Sequence, residues 1–412
     1  MKLLHITDAA AGGVLSSVTA LARSQAADPR FDQVGFCYTP RADSPSHDEI
    51  AIGMGCRGMV ECWAQTSKSS VTSLMRGLVR ELRSNHWDVI HLHSSRAGFL
   101  ARSLAILLRP RAHLVYSPHG FSFNQIEFSN RAREVYLRLE RVALHGGRDL
   151  VLVSGTEAEC AAEKLPGARP AGLANAVDTS HFAPVDTSRG PASEVVEVVH
   201  LGRVATQKNP GQFAQIASLV HREYPGRFAF TWIGDGDRSL LEAETGALDD
   251  PRGDASAPAV SVTGWVSPEE IREHLSAAAI LLFTSAAEGM PIAMLEAGSM
   301  AIPTVGADVI GVRDLIDDDV DGSLFRTSAE AVAALGDLLS GERRRSLGLR
   351  ARERVVREHS QADLAGRSLH IYTGFIRAET IRRRGGTSVP ARPPTKITTV
   401  HSHVSNTESR TA

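Results

Sequence analysis

The 412-residue chain has little of what marks several protein classes. Its four cysteines, Cys37, Cys56, Cys62 and Cys160, show neither metal-ligand nor redox spacing and are too few for a disulfide framework. They are expected to be reduced, in a cytoplasmic protein. No apolar run approaches the ~20 residues that span a bilayer, and the longest, Leu100 to Leu108, is broken by Arg102. The opening Lys2-Leu3-Leu4-His5-Ile6 is cut short by Asp8 and the glycines after it, so it fits a first strand better than a secretory signal. A net charge of −2 argues against a nucleic-acid binder. No G-x-G-x-x-G with an acid beyond it follows an early strand, which argues against a nicotinamide dehydrogenase.

What is present is alternation. Runs suited to buried parallel strands fall at Leu3–Thr7, Val34–Tyr38, Val89–Leu92, Leu114–Ser117 and Leu150–Val153. A second set falls at Val195–Leu201, Phe228–Ile233, Val260–Thr263, Ile280–Phe283 and Ile302–Val305. Helical patterns separate them, the signature of α/β units, and 42% hydrophobic residues in this length can fill two cores. The expected organisation is a Rossmann-like domain over 1–184, a Pro/Gly/Ser-rich linker over 185–194 and a second Rossmann-like domain over 195–358. A helix over 361–378 and a disordered tail over 382–412 follow.

The stretch Glu288-Gly289-Met290-Pro291-Ile292-Ala293-Met294-Leu295-Glu296 follows a strand. Pro291 suits the first turn of a helix. Glu288 then lies in the loop before it and Glu296 inside it, about 7.5 Å further along at ~1.5 Å per residue. Between them the free N–H groups of the first turn, including Ile292 and Ala293, carry about half a positive charge, a place for a diphosphate. One carboxylate can take sugar hydroxyls and the other a ribose diol. In the loop Gly202-Arg203-Val204-Ala205-Thr206-Gln207-Lys208-Asn209-Pro210, Arg203 and Lys208 can converge on one diphosphate; the bland reading is a solvated loop. Ala11-Gly12-Gly13-Val14 lets backbone approach a ligand, although any strand-to-helix turn favours glycine. In His91-Leu92-His93-Ser94-Ser95-Arg96, polar groups gather at a strand's carboxyl end, and Ser94 or Ser95 equally suits a helix cap. At least one of His91 and His93 belongs to the core or the wall. His119 sits with Gly120 after another strand. Ile233-Gly234-Asp235-Gly236-Asp237 reads as a Gly-rich turn rather than a metal-binding D-x-D.

The pair Glu288 and Glu296, with these loops, resembles the retaining glycosyltransferases of family 4 and their E-x7-E motif. The resemblance covers roughly residues 1–378 and is similar to bacterial transferases that build exopolysaccharide and lipid-linked glycans. It implies the two-domain GT-B fold with the active site in the cleft, and a helix that crosses back onto the first domain. It implies donor contacts from Gly12, Gly13, Arg203, Lys208, Val266, Glu288, Gly289, Met290, Ile292 and Glu296, with His119, Glu288, Arg203 and Lys208 at the reacting centre. Ser95 and Arg96 would face the acceptor. The co-substrate would be a nucleotide-diphosphate sugar, without metal or other cofactor, and the partner a glycan or lipid-linked acceptor. Ile310-Gly311-Val312-Arg313-Asp314 departs from the family's Gly-Gly-x-x-Glu, which puts the donor-sugar contacts there in question.

Thirteen Lys/Arg against five Asp/Glu lie between Lys68 and Arg148. This basic stretch can rest on an anionic membrane at the inner face of the cell membrane, or be ordinary solvated helix faces. Two other readings stand beside the transferase: a catalytically silent scaffold subunit of a polysaccharide assembly complex, and a sugar-nucleotide epimerase on the same architecture.

Overall fold

The computed structural model describes residues 1–41, 44–55, 59–63, 70–125, 127–184, 195–241 and 260–383. The expected linker at 185–194, Lys68, Cys56 and the tail from 384 onward lie outside the described residues. Among the described residues there are two parallel sheets. The first has seven strands: β1 (Lys2–Thr7), β2 (Gln33–Tyr38), β3 (Met59–Cys62), β4 (Val89–His93), β5 (His113–Ser117), β6 (Asp149–Leu152) and β7 (Arg169–Gly172). They stand in the order β3-β2-β1-β4-β5-β6-β7. The second has β8 (Val196–Leu201), β9 (Phe228–Ile233), β10 (Ser261–Val262), β11 (Ile280–Phe283), β12 (Thr304–Ala307) and β13 (Gly322–Phe325), in the order β10-β9-β8-β11-β12-β13.

In each sheet the strand order reverses beside the first strand, between β1 and β4 and again between β8 and β11. Open α/β sheets bind ligands outside the strand ends at such a reversal, where successive loops diverge. The Gly12-Gly13 and Ser95-Arg96 loops follow β1 and β4, and the Arg203–Lys208 and Glu288–Glu296 segments follow β8 and β11. Chain topology therefore carries all four to the two crevices.

The central strands β4 and β11 are buried throughout and β1 and β8 at all but one position each, with Leu3, Leu4, Ile6, Val198, Val199, Leu281 and Leu282 in the core. Continuous apolar runs form strands here because helices cover both sheet faces. Strands β3, β7 and β13 escape the sequence reading. Each has four residues, and β7 (Arg169-Pro170-Ala171-Gly172) and β13 (Gly322-Ser323-Leu324-Phe325) hold glycine, proline or polar residues.

The chain returns to the first sheet after the second. The helix Leu364–Arg383 buries Leu364, Ala365, Tyr372 and Phe375 in the same core as Leu3, Val18 and Phe36. It runs past the expected end at 378, and Arg382, read from sequence as tail, is its penultimate residue, held by Glu379 at 2.8 Å. His359 meets the first domain at the return, its Nδ1 lying 3.0 Å from the Asn175 carbonyl.

Candidate active site

The helix Ile292–Ser299 starts one residue later than the sequence suggests, because Pro291, at φ −71° and ψ 120°, is its N-cap rather than its first helical residue. Its Pro291 side chain supplies no cap. The first-turn N–H groups of Ile292 and Ala293 have no acceptor four residues back. Glu296, the helix's fifth residue, is partly buried, and its carboxylate has no hydrogen-bond partner among the described residues. Desolvation pushes its carboxyl up to about 7. An unpaired carboxylate costs free energy until a hydroxyl pair reaches it.

Glu288 lies on the loop ahead of that helix, and Lys208 Nζ stands 2.6 Å from its Oε1. The ammonium also lies 5.2 Å over the ring of Phe283. The backbone fixes both groups. Gln207 donates its side-chain amide to the Ala287 carbonyl, Ala286 N–H donates to the Gln207 carbonyl, and Thr284 Oγ1 donates to the Lys208 carbonyl. Arg203 stands exposed at the opening of the same loop, where Val204 N–H donates to the Asp235 carbonyl and the Val204 carbonyl accepts from Asp237 N–H. Gly234 and Gly236 serve this close approach. A Cβ would lie 2.2 Å from the Gly202 carbonyl at the first and 2.2 Å from the Val204 carbonyl at the second. Asp237 is taken by Ser239 at 2.6 Å.

From the first domain, the His119-Gly120 loop meets this one. Both residues have left-handed backbones, φ 53° and 101°, and a Cβ added to Gly289 would lie 3.2–3.3 Å from His119 and Gly120 backbone. Met290 closes the approach beside it, its carbonyl accepting from Asn175 Nδ2 at 2.8 Å. Asn175 in turn accepts from Ser17 Oγ at 2.7 Å, one turn beyond Gly13 in the helix Gly12–Ala27. Nothing stands within 4 Å of where a Cβ would be on Gly12 or Gly13. Space for a ligand is therefore left beside the glycines, against the start of the helix Ile292–Ser299.

The family described as Glycosyltransferase Family 4 matches residues 11–181, and that described as Glycosyl transferases group 1 matches residues 196–341. One match falls on each sheet, and together they take in His119, Lys208, Glu288 and Glu296. The chain is a glycosyltransferase, with a family 4 domain followed by a group 1 domain. Among its relatives, an uncharacterised 41.2 kDa protein in the cps region of Klebsiella pneumoniae is 23% identical over 79% of this chain and 86% of its own length. The Escherichia coli UDP-Gal:alpha-D-GlcNAc-diphosphoundecaprenol alpha-1,3-galactosyltransferase is 27% identical over 60% of this chain and 65% of its own. The Anabaena protein HepE, solved in complex with UDP and glucose, superposes with a TM-score of 0.73 at 17% identity, over 91% of this chain and all of that one. That likeness establishes the GT-B fold.

In this transferase several site groups are ones that motif reading passes over. Glu157 is 4% exposed and accepts N–H bonds from Gly120 at 2.8 Å and Val153 at 3.0 Å, so it pins the strained His119-Gly120 loop from beneath. Burial pushes its carboxyl up to about 7. Asp8 caps the helix Ser95–Leu108: it takes the hydroxyl of Ser94 and the N–H of Ala97, and Arg96 Nε lies 3.3 Å from it. Ser94 is at the N-cap but makes no cap bond itself. Ser95 Oγ accepts from Ser122. Asp314, in the departed motif, accepts from Thr156 Oγ1 at 2.6 Å in the other domain and from Gly311 N–H at 3.2 Å. It ties the two domains together. Val266 is partly buried, packed against the core beneath the second sheet that also holds Phe283, Met294 and Leu295.

His5, His91 and His93 form the one group of three close enough to share a metal among the described residues. All six of their ring nitrogens already lie at hydrogen-bond distance from protein groups. The cluster is a hydrogen-bond network.

Proposed function

We propose that this transferase moves a sugar, with retention of anomeric configuration, from a nucleoside-diphosphate sugar to a hydroxyl of a lipid-linked glycan in cell-envelope or exopolysaccharide biosynthesis. The meeting of Glu288-Gly289 with His119-Gly120 across the cleft, Lys208 beside Glu288, carries this reading. Cleaving the sugar–phosphate bond develops positive charge at the anomeric carbon and negative charge on the leaving diphosphate. Arg203, Lys208 and the N–H groups of Ile292 and Ala293 stabilise the second, and removing one such donor typically costs on the order of 10² to 10³ in rate. Glu288 holds sugar hydroxyls, Glu296 the ribose diol, and Val266 the neighbourhood of the base. His119 contacts the donor sugar or the acceptor. Ser95 and Arg96 face the acceptor. The acceptor hydroxyl attacks from the leaving-group side and passes its proton to the departing phosphate, so neither an enzymatic nucleophile nor a metal takes part. Closing the cleft keeps water from the donor.

The acceptor domain also offers a face for an anionic membrane. Leu107 is 80% exposed, and Val135 and Val142 are exposed on the neighbouring helix among Arg131, Arg138 and Arg141, with Arg109 and Arg111 beyond. Part of the basic excess is spent elsewhere. Arg102 is buried against Glu140 at 2.6 Å, and Arg80 pairs with Glu61 and Glu81. Arg138 also pairs with Glu134 at 3.0 Å on its own helix; what remains is a set of exposed apolar side chains with arginines around them, a suitable surface for anionic headgroups at the inner membrane face.

The test offers a panel of nucleotide sugars with polyprenyl-diphosphate-linked acceptors in EDTA. Transfer with retained configuration and flotation with anionic but not neutral vesicles are the expected results. Donor isomerisation with no glycosylated product would replace this reading with the epimerase.

A further inference from the structure

His119 is the outer end of a line of hydrogen bonds that crosses the first domain beneath the sheet. His119 Nε2 lies 2.9 Å from His93 Nδ1, and His93 Nε2 lies 2.9 Å from His5 Nδ1. His5 Nε2 lies 2.7 Å from Gln25 Oε1, on the helix Gly12–Ala27. The Gln25 amide nitrogen continues to Ser368 Oγ at 3.0 Å and Tyr372 Oη at 3.3 Å, both on the C-terminal helix. His5, Gln25, His93, Ser368 and Tyr372 are each at most 1% exposed.

Two fixed groups settle where every proton on this line sits. Ser368 Oγ donates to the Ala365 carbonyl, which can only accept, so Ser368 must accept from the Gln25 NH2 group. That orients the Gln25 amide, with its oxygen toward His5. His5 therefore carries its proton on Nε2 and accepts at Nδ1. The same step repeats at His93 and again at His119. A side branch closes in the same way: Ser117 donates to the Val151 carbonyl, His91 Nε2 donates to Ser117, and Tyr372 donates to His91 Nδ1. No buried donor or acceptor on the line is left over when all four imidazoles are neutral.

We infer that Gln25, His5 and His93 are positioning residues that set the tautomer of His119, with the proton on Nε2 and a lone pair on Nδ1. His119 then meets its substrate as a hydrogen-bond acceptor. It selects a ligand hydroxyl that donates, and a carbonyl or a deoxygenated position there cannot satisfy it. Burial lowers both His5 and His119 to about 4 and draws His91 and His93 well below the ordinary range, which keeps the line neutral at pH 7. The consequence for substrate choice rests on the reading of His119 as a substrate contact. The tautomer itself does not.

The experiment is nitrogen NMR on the full chain with 15N-labelled histidine, His119 being assigned from the spectrum of His119→Asn. The wild-type protein is expected to show one His119 tautomer, protonated at Nε2 and bare at Nδ1. Gln25→Leu, which removes the orienting oxygen, is expected to show a mixture. Its kcat should fall about tenfold while its affinity for the nucleoside diphosphate stays within twofold. A wild-type His119 protonated at Nδ1 would overturn the inference, as would an unchanged His119 spectrum in Gln25→Leu. The wild-type spectrum decides even where that variant fails to fold. A fixed Nε2–H tautomer in a protein that transfers no sugar would remove the proposed function and leave the relay standing.

Discussion

Lys208 and Glu288, 80 residues apart in sequence, are joined at 2.6 Å in the cleft. On the proposed reading, a diphosphate draws Lys208 away and a sugar draws Glu288, and the pair holds the two charges in place until the donor arrives. Lys208→Met leaves Glu288 a partly buried carboxylate without its cation and, on the proposed reading, removes a donor to the leaving group. The expected loss is on the order of 10² to 10³ in kcat/KM, seen in steady-state kinetics with the donor varied. An unchanged kcat/KM would place the diphosphate elsewhere.

Nucleoside-diphosphate affinity should depend on pH through Glu296. If it holds the ribose diol as proposed, its carboxyl, raised to about 7 by desolvation, accepts from both hydroxyls best when ionised, so affinity should weaken as pH falls below about 7. Titration calorimetry between pH 5.5 and 8 checks this, and Glu296→Gln should flatten the profile. Glu157 titrates in the same window but touches backbone, so a step that survives in Glu296→Gln would belong to it.

Stability should move the opposite way. A carboxyl whose folded value lies above its unfolded value keeps its proton longer in the folded chain, so Glu157 and Glu296 weaken folding as pH rises from about 4.5 to about 7. The Glu296→Gln variant is expected to lose part of that slope in thermal denaturation followed across the same range.

Replacing Glu157 by Gln leaves one carbonyl oxygen for two N–H groups, those of Gly120 and Val153, and turns an amide NH2 toward the other. An unsatisfied buried donor costs about 1–3 kcal/mol, which chemical denaturation would register. Because the same bond pins the His119 loop, kcat should drop as well. Lost stability at full kcat would show that the loop holds without it.

Gly311 has φ 82°, and a Cβ there would sit 2.4 Å from the Glu288 carbonyl and 2.8 Å from that of Gly289. Gly311→Ala must push the Glu288 loop away or strain the backbone by about 1–3 kcal/mol. Donor KM is expected to rise more than tenfold. Normal donor binding with normal stability would contradict the closeness of these two loops.

Much of this transferase was legible in one dimension. Continuous apolar runs such as Ile280–Phe283 mark buried parallel strands, and the residues straight after them mark the crevices, because strand and helix periods are local properties of the chain. The resemblance carried by Glu288 and Glu296 pointed to the family. Strands such as Gly322–Phe325 were not legible, since their pairing with β12 supplies what their composition lacks.

What the amino-acid order by itself determined is the succession of α/β units and the loops that bear the polar groups. Tertiary structure alone decided which groups meet. Asp314 reads as a degenerate motif residue but spans to Thr156, Arg102 reads as a break in an apolar run but is buried against Glu140, and His5 reads as part of a first strand but stands two imidazoles from His119. Hydrogen bonds and ion pairs act over about 3 Å in space whatever their separation in sequence, so their partners are fixed only when the sheets have closed.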